Sequence, residues 1–105
     1  MKKEVTISEV KLLNRMRIHL HYLKNNCFLR DNELIQNCNI LGEKKVFIIQ
    51  GFEDPICPKK NALKLHSHLK NSKIELIKNT GHDAFSPKLK SALIDALEKV
   101  RTELL

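Results

Sequence analysis

The seven residues Lys45-Val46-Phe47-Ile48-Ile49-Gln50-Gly51 restrict the possible folds of this chain more than any other stretch. A strand with one wet face alternates apolar and polar residues. The unbroken run Val46 to Ile49 instead suits a strand covered on both faces, as in a parallel sheet flanked by helices. A parallel partner requires a crossover of a dozen or more residues, usually helical, and the sequence after Gly51 supplies one. Gly51 to Pro58 contains two prolines and reads as a loop. Pro58 suits the first position of a helix, with Ala62, Leu65 and Leu69 on one side and Asn71-Ser72 at its end. Lys73 to Lys78 then alternates polar and apolar residues, the signature of a half-buried or edge strand. The two strands are expected to be parallel neighbours joined by a right-handed crossover.

Helices are expected on either side of this unit. Over 7–26, Leu12, Leu13, Met16, Leu20 and Leu23 recur at spacings that mark one apolar helical face, with Ser8 as N-cap. A shorter helix is expected over 31–40, capped by Asp31, with Leu34, Ile35 and Cys38 turned inward. After a second loop, Asn79 to Asp83, Ser86 caps a closing helix with Pro87 just inside it. The stripe of that helix is Leu89, Leu93, Ala96, Leu97, Val100 and Leu104. The order is ααβαβα, an α/β arrangement of two parallel strands with flanking helices. A length of 105 residues bounds the chain to a single domain, divided into a helical lead-in over 1–42 and two βα units over 43–105.

Charge and cysteine content exclude several functions. The formal charge of +7 is spread along the chain with no Lys/Arg stripe between aromatic residues, so it reads as a solvated surface and no nucleic-acid partner is expected. Cys27, Cys38 and Cys57 are odd in number and far apart, which argues against a disulfide framework and a zinc site, so no metal is expected. Free thiols fit a reducing compartment. The N-terminus lacks an apolar signal core and no run reaches membrane-spanning length. The expectation is a cytoplasmic protein with no membrane partner.

In open parallel sheets, working residues lie just past the carboxyl ends of the strands. Asp54 follows the first strand and His82 the second. If the strands are neighbours, both loops open on one edge, and Asp54 can accept a hydrogen bond from one nitrogen of His82, orienting it as a general base. On spacing alone, a turn-forming or capping Asp and a surface or capping His are the commoner readings, and the acid–base pair stays open beside them.

Four motifs go further. Gly51-Phe52-Glu53-Asp54-Pro55-Ile56-Cys57-Pro58 resembles the G-R-Y-D-x-x-C-P segment of proline iminopeptidases, which are α/β-hydrolases. Asn61-Ala62 and Leu65-His66 are similar to the N-A-x-x-L-H run that follows it. Gly81-His82-Asp83-Ala84-Phe85-Ser86-Pro87 resembles G-H-S-A-F-E-P, and Arg17-Ile18-His19-Leu20-His21-Tyr22 resembles R-I-E-N-H-Y-F. The resemblance spans residues 15–95. It implies the C-terminal portion of an α/β-hydrolase fold, with 1–42 drawn from the lid or cap region. It also implies Asp54 as triad acid, His82 as general base, a Cys57 beside the site, hydrolysis of an N-terminal proline from peptides, and no organic cofactor.

The sequence departs from the family pattern in two places. Triad order in this fold is Ser, then Asp, then His, yet no G-x-S-x-G elbow precedes Asp54, and Ser8 is the only serine before it. The oxyanion-hole loop is missing with it, so the chain alone is expected to be inactive unless a separate N-terminal fragment supplies the serine. His19 stands where the family has a glutamate that helps bind the substrate's amine, which leaves substrate preference open. The alternative reading is a non-catalytic α/β module, or the remnant of a split gene, that binds another protein along the exposed edge of its first strand.

Overall fold

The computed structural model describes residues 4–104, the side chain of Leu104 excepted. The chain divides after Leu34 into two compact units.

The first unit is built on α1 (Ile7–Lys24). A reciprocal capping box opens it: the Thr6 hydroxyl accepts from the Glu9 amide at 3.2 Å, and the Glu9 carboxylate accepts from the Thr6 amide at 2.9 Å. The cap is therefore Thr6 and not Ser8, because only Thr6 has a glutamate three residues on. The helix stops at Lys24, two residues short of expectation. The Asn25 side chain donates to the His21 carbonyl at 2.9 Å, and Asn26, Cys27 and Phe28 turn left-handed with φ of 50°, 55° and 57°. That turn brings the Phe28 ring to 5.4 Å from the rings of both His21 and Tyr22. The stripe Leu12, Leu13, Met16, Leu20 and Leu23 has helical spacing, yet each member is between 44% and 57% exposed. Periodicity specified the helix, and within this unit its apolar residues stay exposed.

The helix expected over 31–40 is broken. A single turn, α2 (Glu33–Gln36), is followed by a 3₁₀ turn over Cys38–Leu41. Asn32 takes a left-handed φ of 59°, and Asn37 leaves helical geometry at φ −100°, ψ 2°. Asparagine favours such local backbone conformations over helix interiors. Leu34, expected inward, is 67% exposed, while Ile35 and Cys38 are half-buried. The Cys38 thiol donates to the His68 carbonyl.

In the second unit, β1 (Val46–Gly51) pairs in parallel with β2 (Ser72–Ile77), from Val46 opposite Ser72 to Gly51 opposite Ile77. Between them runs α3 (Lys59–His68), and α4 (Pro87–Leu104) follows β2. This is the α/β-hydrolase order expected from the sequence. Pro58 is the N-cap of α3 rather than its first residue, and Ser72 opens β2 rather than closing α3. The Ser72 hydroxyl lies 2.6 Å from Nδ1 of His66, tying α3 to the strand. Ser86 holds the cap position of α4, its carbonyl accepting from Lys90 at 2.9 Å, although its buried hydroxyl finds no partner.

Both faces of β1 were expected to be covered, but Val46 to Gln50 are only half-buried and Gly51 alone is buried. The Val46 amide bonds Asn71 and the Phe52 amide bonds Ile77. The even-numbered amides of β1 therefore face β2, and those of Phe47 and Ile49 face the opposite edge, where no strand pairs among the described residues. On α4, Leu89 and Ala92 are buried and Ala96 and Val100 half-buried, but Leu93 and Leu97 are 39% and 68% exposed. Those two leucines flank an apolar groove with Val46, Phe47 and Ile49. Lys45 and Glu103 form an ion pair at one end of it. Among the described residues the buried apolar ones are Ala62, Leu89 and Ala92, two of them alanines. No described helix is long and apolar enough to cross a membrane.

Candidate active site

The site forms where β1 and β2 end side by side. A Cβ on Gly51 would sit 2.4 Å from the carbonyl oxygens of both Thr80 and Gly81, so the absent side chain is what lets the loop after β2 lie against the end of β1. Glu53 then fastens the two loops twice. Its amide donates to the Thr80 carbonyl at 3.1 Å, and its carboxylate accepts from the Thr80 amide at 3.0 Å. Thr80 is buried, at 4% exposure. The Gln50 side chain donates to the Cys57 carbonyl, bracing the first loop from the strand.

Within that frame Asp54 uses both carboxylate oxygens. Oδ1 accepts from the amides of Ile56 and Cys57, each at 2.9 Å, which folds the loop around the side chain. Oδ2 is 2.9 Å from Nδ1 of His82. The Asp54 side chain is 6% exposed and that of His82 is 50% exposed. Desolvation works against ionisation of Asp54. The Cys57 amide, His82 and the Ile56 amide outweigh it and hold the carboxyl below its ordinary range. An ionised carboxylate can only accept, so Nδ1 carries the proton and Nε2 is left as the acceptor, the tautomer a general base needs. Gly51, Asp54, Gly81, His82 and Leu89 line an open recess of about 240 Å³ here. Beyond His82, the Asp83 carboxylate accepts from Phe85 and its carbonyl from Ser86, which settles the loop onto α4.

Of the four residues singled out in the sequence, three converge. Ligand atoms of Asp54, Cys57 and His82 all lie within 4.8 Å of one another, with Cys57 exposed. His19 lies on α1 in the first unit, where it lines an apolar recess with Ile18, Tyr22, Leu23 and Cys27. Sequence reading overlooked Glu53 and Thr80, which form the clamp between the loops. No periodic pattern links a side chain to a backbone amide 27 residues away. The glycines at 51 and 81 were the only local sign that two backbones meet.

The family described as TAP-like protein matches residues 21–99. A probable proline iminopeptidase of Leptolyngbya boryana is 36% identical over 84 residues, covering 79% of this chain and 26% of the relative. A putative proline iminopeptidase of Mycoplasma pneumoniae is 33% identical over 70 residues, covering 67% and 23%. A proline iminopeptidase of Xylella fastidiosa is 30% identical over 83 residues, covering 78% and 26%. The chain thus spans about a quarter of the length of the curated relatives it matches, and corresponds to their C-terminal part. With two parallel strands, a helix on each side of the second, and a motif match over most of its residues, the chain belongs to the TAP-like family of α/β-hydrolases.

Proposed function

We propose that this chain supplies the acid and the base of a serine-hydrolase triad acting on peptides with an N-terminal proline, and that the nucleophile comes from residues outside this stretch. The observation that carries the reading is the 2.9 Å hydrogen bond between Asp54 and His82 at the carboxyl rim of two parallel strands. The printed names of the relatives supply the substrate class. In the reaction, Nε2 of His82 takes the proton of the attacking serine hydroxyl and returns it to the leaving amine. Asp54 stabilises the imidazolium between those steps. Without an oxyanion hole and a serine, the pair has no nucleophile to activate, so the isolated chain is inactive toward a proline arylamide. His19, in place of a glutamate that attracts the substrate's ammonium group, weakens selectivity for a free amine. The localisation in this reading is the cytoplasm, a reducing compartment in keeping with three free thiols.

The partner in this reading is an N-terminal fragment whose own strand pairs along Phe47 and Ile49 of β1 and covers Leu93 and Leu97. The test is to co-express the chain with the serine-bearing portion of a relative and to follow release of the arylamine. Turnover by the mixture that disappears with His82→Ala supports the proposal. Turnover by the chain alone, or by a mixture carrying His82→Ala, overturns it.

The same uncovered edge favours a second reading, a non-catalytic module that binds a protein by strand addition. A chain that captures the complementing fragment but yields no turnover supports that reading.

A further inference from the structure

We infer that Asp54, Cys57 and His82 form a binding site for a soft or borderline divalent cation, with zinc the best-matched ion. The inference does not depend on the hydrolase proposal, because metal capture needs neither a serine nor a substrate. Its basis is the convergence of three different donor types from two loops: a carboxylate oxygen, a thiol sulfur and an imidazole nitrogen, all within 4.8 Å of one another. Zinc holds sulfur at about 2.3 Å and nitrogen or oxygen at about 2.0–2.2 Å, so donors around one ion stand about 3–4 Å apart. Cys57 and His82 are exposed, so neither side chain is locked by packing at its present separation. The carboxylate is already fixed. Oδ1 of Asp54 is held by two backbone amides, one of them that of Cys57 itself, so the turn that orients the carboxylate also fixes the backbone of the sulfur donor. Oδ2 faces the imidazole.

The donor set also limits which cation fits. A thiolate with an imidazole and one carboxylate suits zinc or cobalt, whereas magnesium and calcium prefer oxygen donors alone. Three protein ligands leave a fourth position for water. On binding, the Cys57 thiol gives up its proton to solvent and the neutral imidazole donates a lone pair, so one proton is released per ion bound. The bound ion draws Asp54 and His82 away from their mutual hydrogen bond, so metal occupancy and base function exclude each other.

Cobalt(II) titration of the full chain, read by the thiolate-to-metal charge-transfer absorption and checked by calorimetry, tests the site. The expected result is one cobalt ion per chain, displaced by zinc and not by magnesium. Cys57→Ser should remove the charge-transfer band and weaken binding by more than about tenfold. Losing a group that only supports a ligand already costs about 10–100-fold. His82→Gln should weaken binding comparably, and the double variant Cys27→Ser/Cys38→Ser should leave it intact. Both site substitutions fall on exposed side chains, and circular dichroism is the check that each variant folds. Absence of the band in the unsubstituted chain, its persistence in folded Cys57→Ser, or its loss in the Cys27/Cys38 double variant overturns the proposal.

Discussion

Glu53 and Thr80 hold each other by two hydrogen bonds, one through the Glu53 amide and one through its carboxylate, across a gap of 27 residues. Asp54 and His82 are the neighbours of this clamp, one residue and two residues further on. Their 2.9 Å contact therefore depends on a link that takes no part in acid–base chemistry. Glu53→Ala leaves the buried Thr80 amide without its acceptor. We expect a loss of about 1–3 kcal/mol in urea unfolding, and a smaller loss for Glu53→Gln, which keeps an oxygen in place.

Gly51→Ala should be as damaging for a different reason. The added methyl group would meet two backbone carbonyl oxygens at 2.4 Å, and neither belongs to a flexible side chain that can swing away. Either the end of β1 or the 80–81 turn must move. We expect destabilisation of about 1–3 kcal/mol by denaturant unfolding. The hydrogen-bonded Nδ1 proton of His82 should also vanish from the far-downfield proton NMR spectrum.

The acidity of Asp54 gives a signed pH dependence. Its carboxyl titrates below its ordinary value in the folded chain. Its stabilising contribution is therefore present above the unfolded-state value, near 3.9, and is lost as pH falls through the lower folded value. Unfolding midpoints measured between about pH 5 and pH 2 should fall toward acid, and less steeply in Asp54→Asn. The asparagine keeps an oxygen for the Ile56 and Cys57 amides but has no charge to lose. Glu103, held low first by its hydrogen bond to Lys45, adds to the same acid limb.

Once the serine-bearing portion is supplied, His82→Ala should lower kcat for a proline arylamide by at least about 10²–10⁴-fold, the usual contribution of a positioned acid–base group. Asp54→Asn should also lower kcat, by presenting Nδ1 with a donor and favouring the wrong tautomer. In both variants, arylamine release should fall while binding of the complementing portion is unchanged.

The edge of β1 offers a test that leaves the acid–base pair untouched. Leu97 is 68% exposed beside Phe47 and Ile49, so Leu97→Lys should barely change the stability of the chain. It should, however, reduce concentration-dependent association in light scattering and weaken capture of a complementing strand, because charge at an edge discourages pairing.

The sequence alone determined the features that depend on local patterns. The run Val46 to Ile49, the alternation of Lys73 to Lys78 and the stripe around Leu89 and Ala96 specified their elements, because side-chain period follows directly from backbone geometry. The motifs around Asp54 and His82 identified the α/β-hydrolase family, because they are contiguous. Where local signals competed, sequence reading was less reliable. The sequence pattern points to Ser8 as the cap of the first helix, yet Thr6 takes that place because it has a glutamate three residues on, and asparagines 32 and 37 break a helix that apolar spacing extends to residue 40. Tertiary structure alone decided what stands in space between the two loops: the Gly51 approach and the Glu53–Thr80 clamp. Those contacts join residues about 25–30 positions apart, and their energies arise only when parallel pairing of β1 and β2 brings two loop backbones together.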